Sequence, residues 1–118
     1  MSYKLFLPAR GIRTGSDWVL KIEVRSASLE AFPANATFVS QIREQLEGPV
    51  ITELTTANGG VVRISDNIIE LRVPGSVTRD WLYSEVVLDV LRTDALDPIH
   101  LGFDMKVPVK RSVTRISA

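Results

Sequence analysis

His100 is the single histidine of this chain, and Glu85, Asp89 and Asp104 stand near it in sequence. An imidazole can move protons when a nucleophile or carboxylate lies within hydrogen-bond reach. Paired carboxylates can hydrolyse a glycosidic bond. Whether these residues meet depends on the faces they occupy. From Ile99 onward, apolar side chains fall on every second position: Ile99, Leu101, Phe103, Met105, Val107 and Val109. A period of two lets a strand bury one face and wet the other, which puts His100, Asp104, Lys106 and Lys110 outside. Val86, Leu88 and Val90 alternate in the same way with Val87, Asp89 and Leu91. The turn-rich stretch 94–98 then joins the two strands into a hairpin. Lys106, Lys110 and Arg92 lie near the carboxylates in any register of that hairpin, so cross-strand charge pairs are the expectation. His100 is expected in water.

Other motifs fall short of chemistry. Asp94 and Asp97 offer two carboxylates in one loop, below the ligand count of a calcium loop. Gly59 and Gly60 lack the lysine and helix of a phosphate loop. Arg10 and Arg13 flank Gly11 without the interleaved aromatics on which bases stack. The chain has no cysteine, which excludes disulfides and thiolate-bound metals. The expectation is therefore no catalytic residue, no cofactor and no metal.

The elements that position these residues read as strands. Trp18, Leu20, Ile22 and Val24 alternate with Val19, Lys21, Glu23 and Arg25, and Ala36, Phe38, Ser40 and Ile42 alternate with Thr37, Val39, Gln41 and Arg43. Residues 50–56 are rich in β-branched types suited to a pleated surface. Asn58-Gly59 predicts a hairpin joining them to 61–64, because both positions accept positive φ. Asp66 and Asn67 mark a second turn, leading to Ile69, Leu71 and Val73. Leu29 and Phe32 are expected to pin the connection 26–35 to the core. A short helical turn is expected near 76–82, with Ser76 as N-cap, Asp80 near its start, and Trp81 and Leu82 folded back as a lid. Seven or eight short strands separated by turns predict a sandwich or barrel. All 118 residues read as one domain, with 1–10 as an N-terminal arm or edge strand.

Charge and hydropathy narrow the partners. Fourteen basic and fourteen acidic residues cancel, which leaves no global field to draw in nucleic acid or an anionic membrane. Weak repulsion between copies also does little to oppose self-association. No apolar run approaches a transmembrane helix. Residues 1–8 hold one positive charge and three consecutive apolar residues, short of a signal peptide, which predicts a cytoplasmic site of synthesis. Val19, Val39, Val87 and Leu91 fall on outward faces and mark an expected contact surface.

The order of elements resembles that of short bacteriophage and prophage virion proteins. It runs from Asp17-Trp18-Val19-Leu20 through a strand at 36–44 and Val50-Ile51-Thr52-Glu53-Leu54 to Ile69-Glu70-Leu71-Arg72-Val73-Pro74. The turn Ser76-Val77-Thr78-Arg79-Asp80-Trp81 follows, and a closing hairpin ends in Val113-Thr114-Arg115. The pattern is similar to the immunoglobulin-like N-terminal domain of the phage baseplate upper protein. The departures are the extension at 3–8 and the glycine-free loop at 94–98. The resemblance implies an antiparallel, immunoglobulin-like, Greek-key β-sandwich that contacts itself or other virion proteins. It implies a homo-oligomer made in the bacterial cytoplasm and carried in the virion, at the tail, baseplate or head–tail junction, with no shared catalytic residues. The alternative is a β-sandwich binding module for a carbohydrate or host protein, with Phe32 and Trp81 as the loop aromatics available to it.

Overall fold

The computed structural model describes residues 2–6, 11–25 and 32–114, with only the backbone of 2–6, 25, 102 and 103. The strands in chain order are β1 (Ser2–Phe6), β2 (Ile12–Arg13), β3 (Trp18–Arg25), β4 (Phe38–Arg43), β5 (Val50–Thr55), β6 (Val61–Arg63), β7 (Ile68–Val73), β8 (Glu85–Arg92) and β9 (Ile99–Lys110). One four-residue helix, α1 (Gly75–Thr78), precedes β8. The fold is all-β. One sheet has the order β1-β3-β7-β6 and the other β2-β9-β8-β4-β5. Among the described residues every pairing is antiparallel except β2 with β9, which is parallel, so the second sheet is mixed. No described helix is long and apolar enough to cross a membrane.

The alternations in the sequence become one core fed from both sheets. Trp18, Leu20, Ile22, Val24, Ile69, Leu71 and Val73 enter it from β3 and β7; Phe38, Ile42, Val86, Leu88, Val90, Leu101, Val107 and Val109 enter it from β4, β8 and β9. Phe32 is buried edge-on against Phe38, with ring centroids 5.0 Å apart. Arg63 donates two hydrogen bonds to the Phe32 carbonyl, at 2.9 and 3.1 Å, and holds that loop down. Leu29 lies outside the described residues, as does Arg10.

Two local expectations are corrected. Asn58-Gly59 does not close a hairpin between β5 and β6, because those strands belong to different sheets. It turns the chain from one sheet to the other, and only Gly59 takes a positive φ, of 77°. Asn58 Oδ1 accepts hydrogen bonds from the Thr55 and Gly60 amides, and Asn58 N–H donates to Thr55 Oγ1. The side chain thus satisfies backbone groups that a ladder would otherwise pair. A β-carbon on Gly60 would lie 2.7 Å from Leu54 Cα, so glycine is needed where the crossing chain meets β5. The real hairpin is β6–β7, turned by Asp66 and Asn67, with Arg63 opposite Ile69.

The helical turn is shorter than expected and differently capped. Pro74 occupies the N-cap position, and Asp17 Oδ1 accepts the Gly75 amide at 2.7 Å from 58 residues away. Ser76 does not cap, and Asp80 follows the helix. Buried Thr78 accepts the Gly15 amide on Oγ1 at 3.0 Å, tying α1 to the loop before β3. Trp81 is buried, edge-on to Tyr83 at 5.8 Å, as a lid requires. Leu82 points away and is 77% exposed.

Candidate functional site on the outer face of the five-stranded sheet

Outward positions on β4, β8 and β9 bring together the residues singled out for chemistry and those singled out for contact. Val39 pairs with Leu91, and Arg43 with Val87. Across the next ladder Val87 faces Lys106, Asp89 faces Asp104, and Leu91 faces His100. An open groove of about 660 Å³ runs over this surface, lined by Arg43, Leu46, Val87, Asp89, Leu91, Asp104 and Lys106 among others. Leu46, at its rim, is 81% exposed.

The β8–β9 ladder is irregular between Asp89 and Leu91. Two steps along β8, from Asp89 to Leu91, correspond to four steps along β9, from Asp104 back to His100. The extra residues bulge, and the bulge draws His100 and Asp104 together although four residues separate them. In a regular strand their Cα atoms would stand about 13 Å apart at ~3.3 Å per residue; here the side chains meet, with His100 Nε2 3.0 Å from Asp89 Oδ2 and 3.6 Å from Asp104 Oδ1.

This corrects the expected charge pairing. Asp89 meets Asp104 and His100 rather than a lysine, and Glu85 stands opposite Pro108. Arg92 turns to Asp94, donating to both carboxylate oxygens at 2.7 and 2.9 Å. Those bonds hold the Asp94 carboxyl below the usual aspartate range, and they commit the carboxylate that would have headed a calcium loop. His100 is exposed on the solvent face, as expected. Its side chain is 41% exposed and sits against two carboxylates. The signal missed in the sequence is the bulge, since strict alternation assigns faces but not register.

The four apolar positions divide. Val39, Val87 and Leu91 are half-buried on this face, whereas Val19 lies on β3 in the other sheet. Val19 lines a second groove of about 450 Å³ with Trp18, Val73, Val77 and the Asn58–Gly60 turn. Of the aromatics offered to a carbohydrate, both Phe32 and Trp81 are buried.

No protein-family model matches the chain, and no curated protein is similar to it in sequence. Among solved structures, the fold is similar to part of the endo-β-1,4-mannanase of Thermotoga petrophila, with a TM-score of 0.51 and 10% identity. The likeness covers 94% of this chain and 20% of the mannanase. It is a likeness of fold alone.

Proposed function

We propose that this chain is a non-catalytic, immunoglobulin-like β-sandwich domain that works by protein–protein contact, as a structural component of a bacteriophage or prophage virion. The strand order supports the immunoglobulin-like part of this reading. One sheet runs first, third, seventh, sixth, and the other second, ninth, eighth, fourth, fifth; apart from the two-residue parallel second strand at its edge, this follows the A-B-E-D and G-F-C pattern with an added C′ strand. The virion part rests on the resemblance in element order.

The observation that carries the contact reading is the outer face of β4 and β8. Val39, Leu91 and Val87 lie together there, beside an almost fully exposed Leu46, in a chain of zero net charge. Adjacent aliphatic side chains on a solvent face favour association, and the absence of net charge removes its main opponent. The partner is a second copy or a neighbouring virion protein, met after synthesis in the bacterial cytoplasm. The carbohydrate-module alternative has less support, because neither Phe32 nor Trp81 is available for stacking on a sugar.

Multi-angle light scattering across a concentration series tests the reading. Association is expected, and Leu91→Glu together with Val39→Lys, which places opposite charges across the ladder, is expected to abolish it while the monomer stays folded. A chain that stays strictly monomeric at millimolar concentration, encoded away from head, portal and tail genes, would overturn it.

A further inference from the structure

We propose that Asp89, His100 and Asp104 form a surface site for a divalent first-row transition metal of the Zn²⁺ type, with three protein ligands and water completing the shell. The site shares the outer face of β8 with the proposed contact surface, and its test on the isolated chain does not depend on that reading.

The spacing of the donor atoms carries the proposal. Atoms bound about 2.1 Å from one ion stand ~3.0 Å apart at a right angle and ~3.4 Å apart at the tetrahedral angle. His100 Nε2 lies 3.0 Å from Asp89 Oδ2 and 3.6 Å from Asp104 Oδ1. All three potential ligand atoms fall within 4.8 Å of one another. The two carboxylates, whose side chains are 41% and 87% exposed, have room to rotate toward a shared ion.

The electrostatics point the same way. Asp89 and Asp104 are directly opposed in the β8–β9 ladder, and like charges so placed destabilise a strand pair. A single imidazole at their junction neutralises one of them at most. A divalent cation neutralises both. The cationic groups lining the same groove, Arg43 and Lys106, both sit in the row of Val87, one outward position along β8 from Asp89. The donor set chooses the class of metal. One imidazole with two carboxylates suits Zn²⁺, Co²⁺ or Ni²⁺, whereas Ca²⁺ requires six to eight oxygens and Mg²⁺ retains most of its water.

The test uses tag-free, chelator-stripped protein titrated calorimetrically with Zn²⁺, Ca²⁺ and Mg²⁺, and with Co²⁺ as an absorbing probe. One Zn²⁺ per chain is expected, with visible Co²⁺ bands and displacement of the ring resonances of His100, which are unambiguous because the chain has one histidine. His100→Ala and Asp89→Asn are each expected to weaken Zn²⁺ binding by at least about ten-fold, the low end for losing even a supporting group. Asp97→Asn is expected to change nothing. Circular dichroism checks that each variant is folded; if Asp89→Asn is not, Asp104→Asn and the wild-type histidine resonances decide. No Zn²⁺ binding up to millimolar concentration, Zn²⁺ binding that survives His100→Ala, or Ca²⁺ binding as tight as Zn²⁺ would each overturn the proposal.

Discussion

The β3–β7 and β8–β9 ladders are made from equally regular sequence and end in different structures. Between β3 and β7 the register is unbroken over six pairs, from Trp18 opposite Val73 to Glu23 opposite Ile68. Inward residues stack on inward residues, and the outer face carries charges such as Lys21 and Glu70 in opposition. Between β8 and β9 the register breaks after Asp89. Leu101, Val107 and Val109 still reach the core while Ile99, at the start of β9, is exposed, and on the outward side two aspartates and a histidine converge. A regular ladder spreads its outer side chains about 6.6 Å apart along each strand. A bulge can gather them.

The sharpest way to break this comparison is to damage the regular side. Leu71 is fully buried and pairs with Leu20 on one side and Val61 on the other. Leu71→Ala is expected to cost about 2–5 kcal/mol, read as a drop in the denaturant midpoint. A loss below ~1 kcal/mol would mean that the four-stranded sheet is not the rigid half.

Next in size is the crossing between the sheets. Gly60→Ala places a methyl 2.7 Å from the Leu54 backbone, and a backbone neighbour cannot rotate aside. A destabilisation of about 1–3 kcal/mol is expected. Gly15, around which a β-carbon meets nothing within 4 Å, is not a matched control because its φ is positive. Gly48→Ala, with softer contacts at 3.2 Å and beyond, serves better and should cost less.

On the irregular side the effects are small and one has the opposite sign. Asp104→Lys converts a like-charge cross-strand pair into an opposite-charge pair and should stabilise metal-free protein by roughly 0.2–1 kcal/mol. His100→Ala, at a half-exposed position, should shift metal-free stability by no more than about 0.5 kcal/mol. If Asp104→Lys destabilises instead, the opposition of Asp89 and Asp104 is not a cost in the native state.

The smallest effect belongs to the hairpin tip. The Arg92 guanidinium holds the Asp94 carboxyl below its ordinary value. The native state therefore binds this proton less readily than the unfolded chain, and stability gained above the unfolded value is lost as pH falls through the folded one. Carbon-detected NMR titration should show Asp94 titrating below the ordinary aspartate range. Arg92→Gln should return it to the usual range.

Much of the architecture was legible in the residues, and the places where it was not share a cause. Alternation at Trp18–Val24 positions, at Ala36–Ile42 and at Val86–Val90 assigned the inner face of each strand, because burying one face requires a period of two. The buried state of Phe32 and Trp81 followed from their apolar bulk in otherwise polar connections. Pairing partners were another matter. Asn58-Gly59 carries the strongest local hairpin signal, yet its strands went to different sheets, since a local turn preference cannot say which neighbour offers β5 an apolar face. Ser76 looked like a cap, but Asp17 reached the Gly75 amide first.

Composition and periodicity by themselves determined an all-β chain, the identity of its inward side chains and the absence of thiol chemistry, all of which depend on residue type and short-range spacing. Only the tertiary structure decided the sheet order, the parallel pairing of β2 with β9, and the meeting of Asp89, His100 and Asp104. Those depend on register, and register is set by how two strands settle on a shared core. A shift or bulge in a ladder leaves the period of each strand unchanged, so the sequence pattern carries no trace of it, while the side chains on the outer face move by several ångströms.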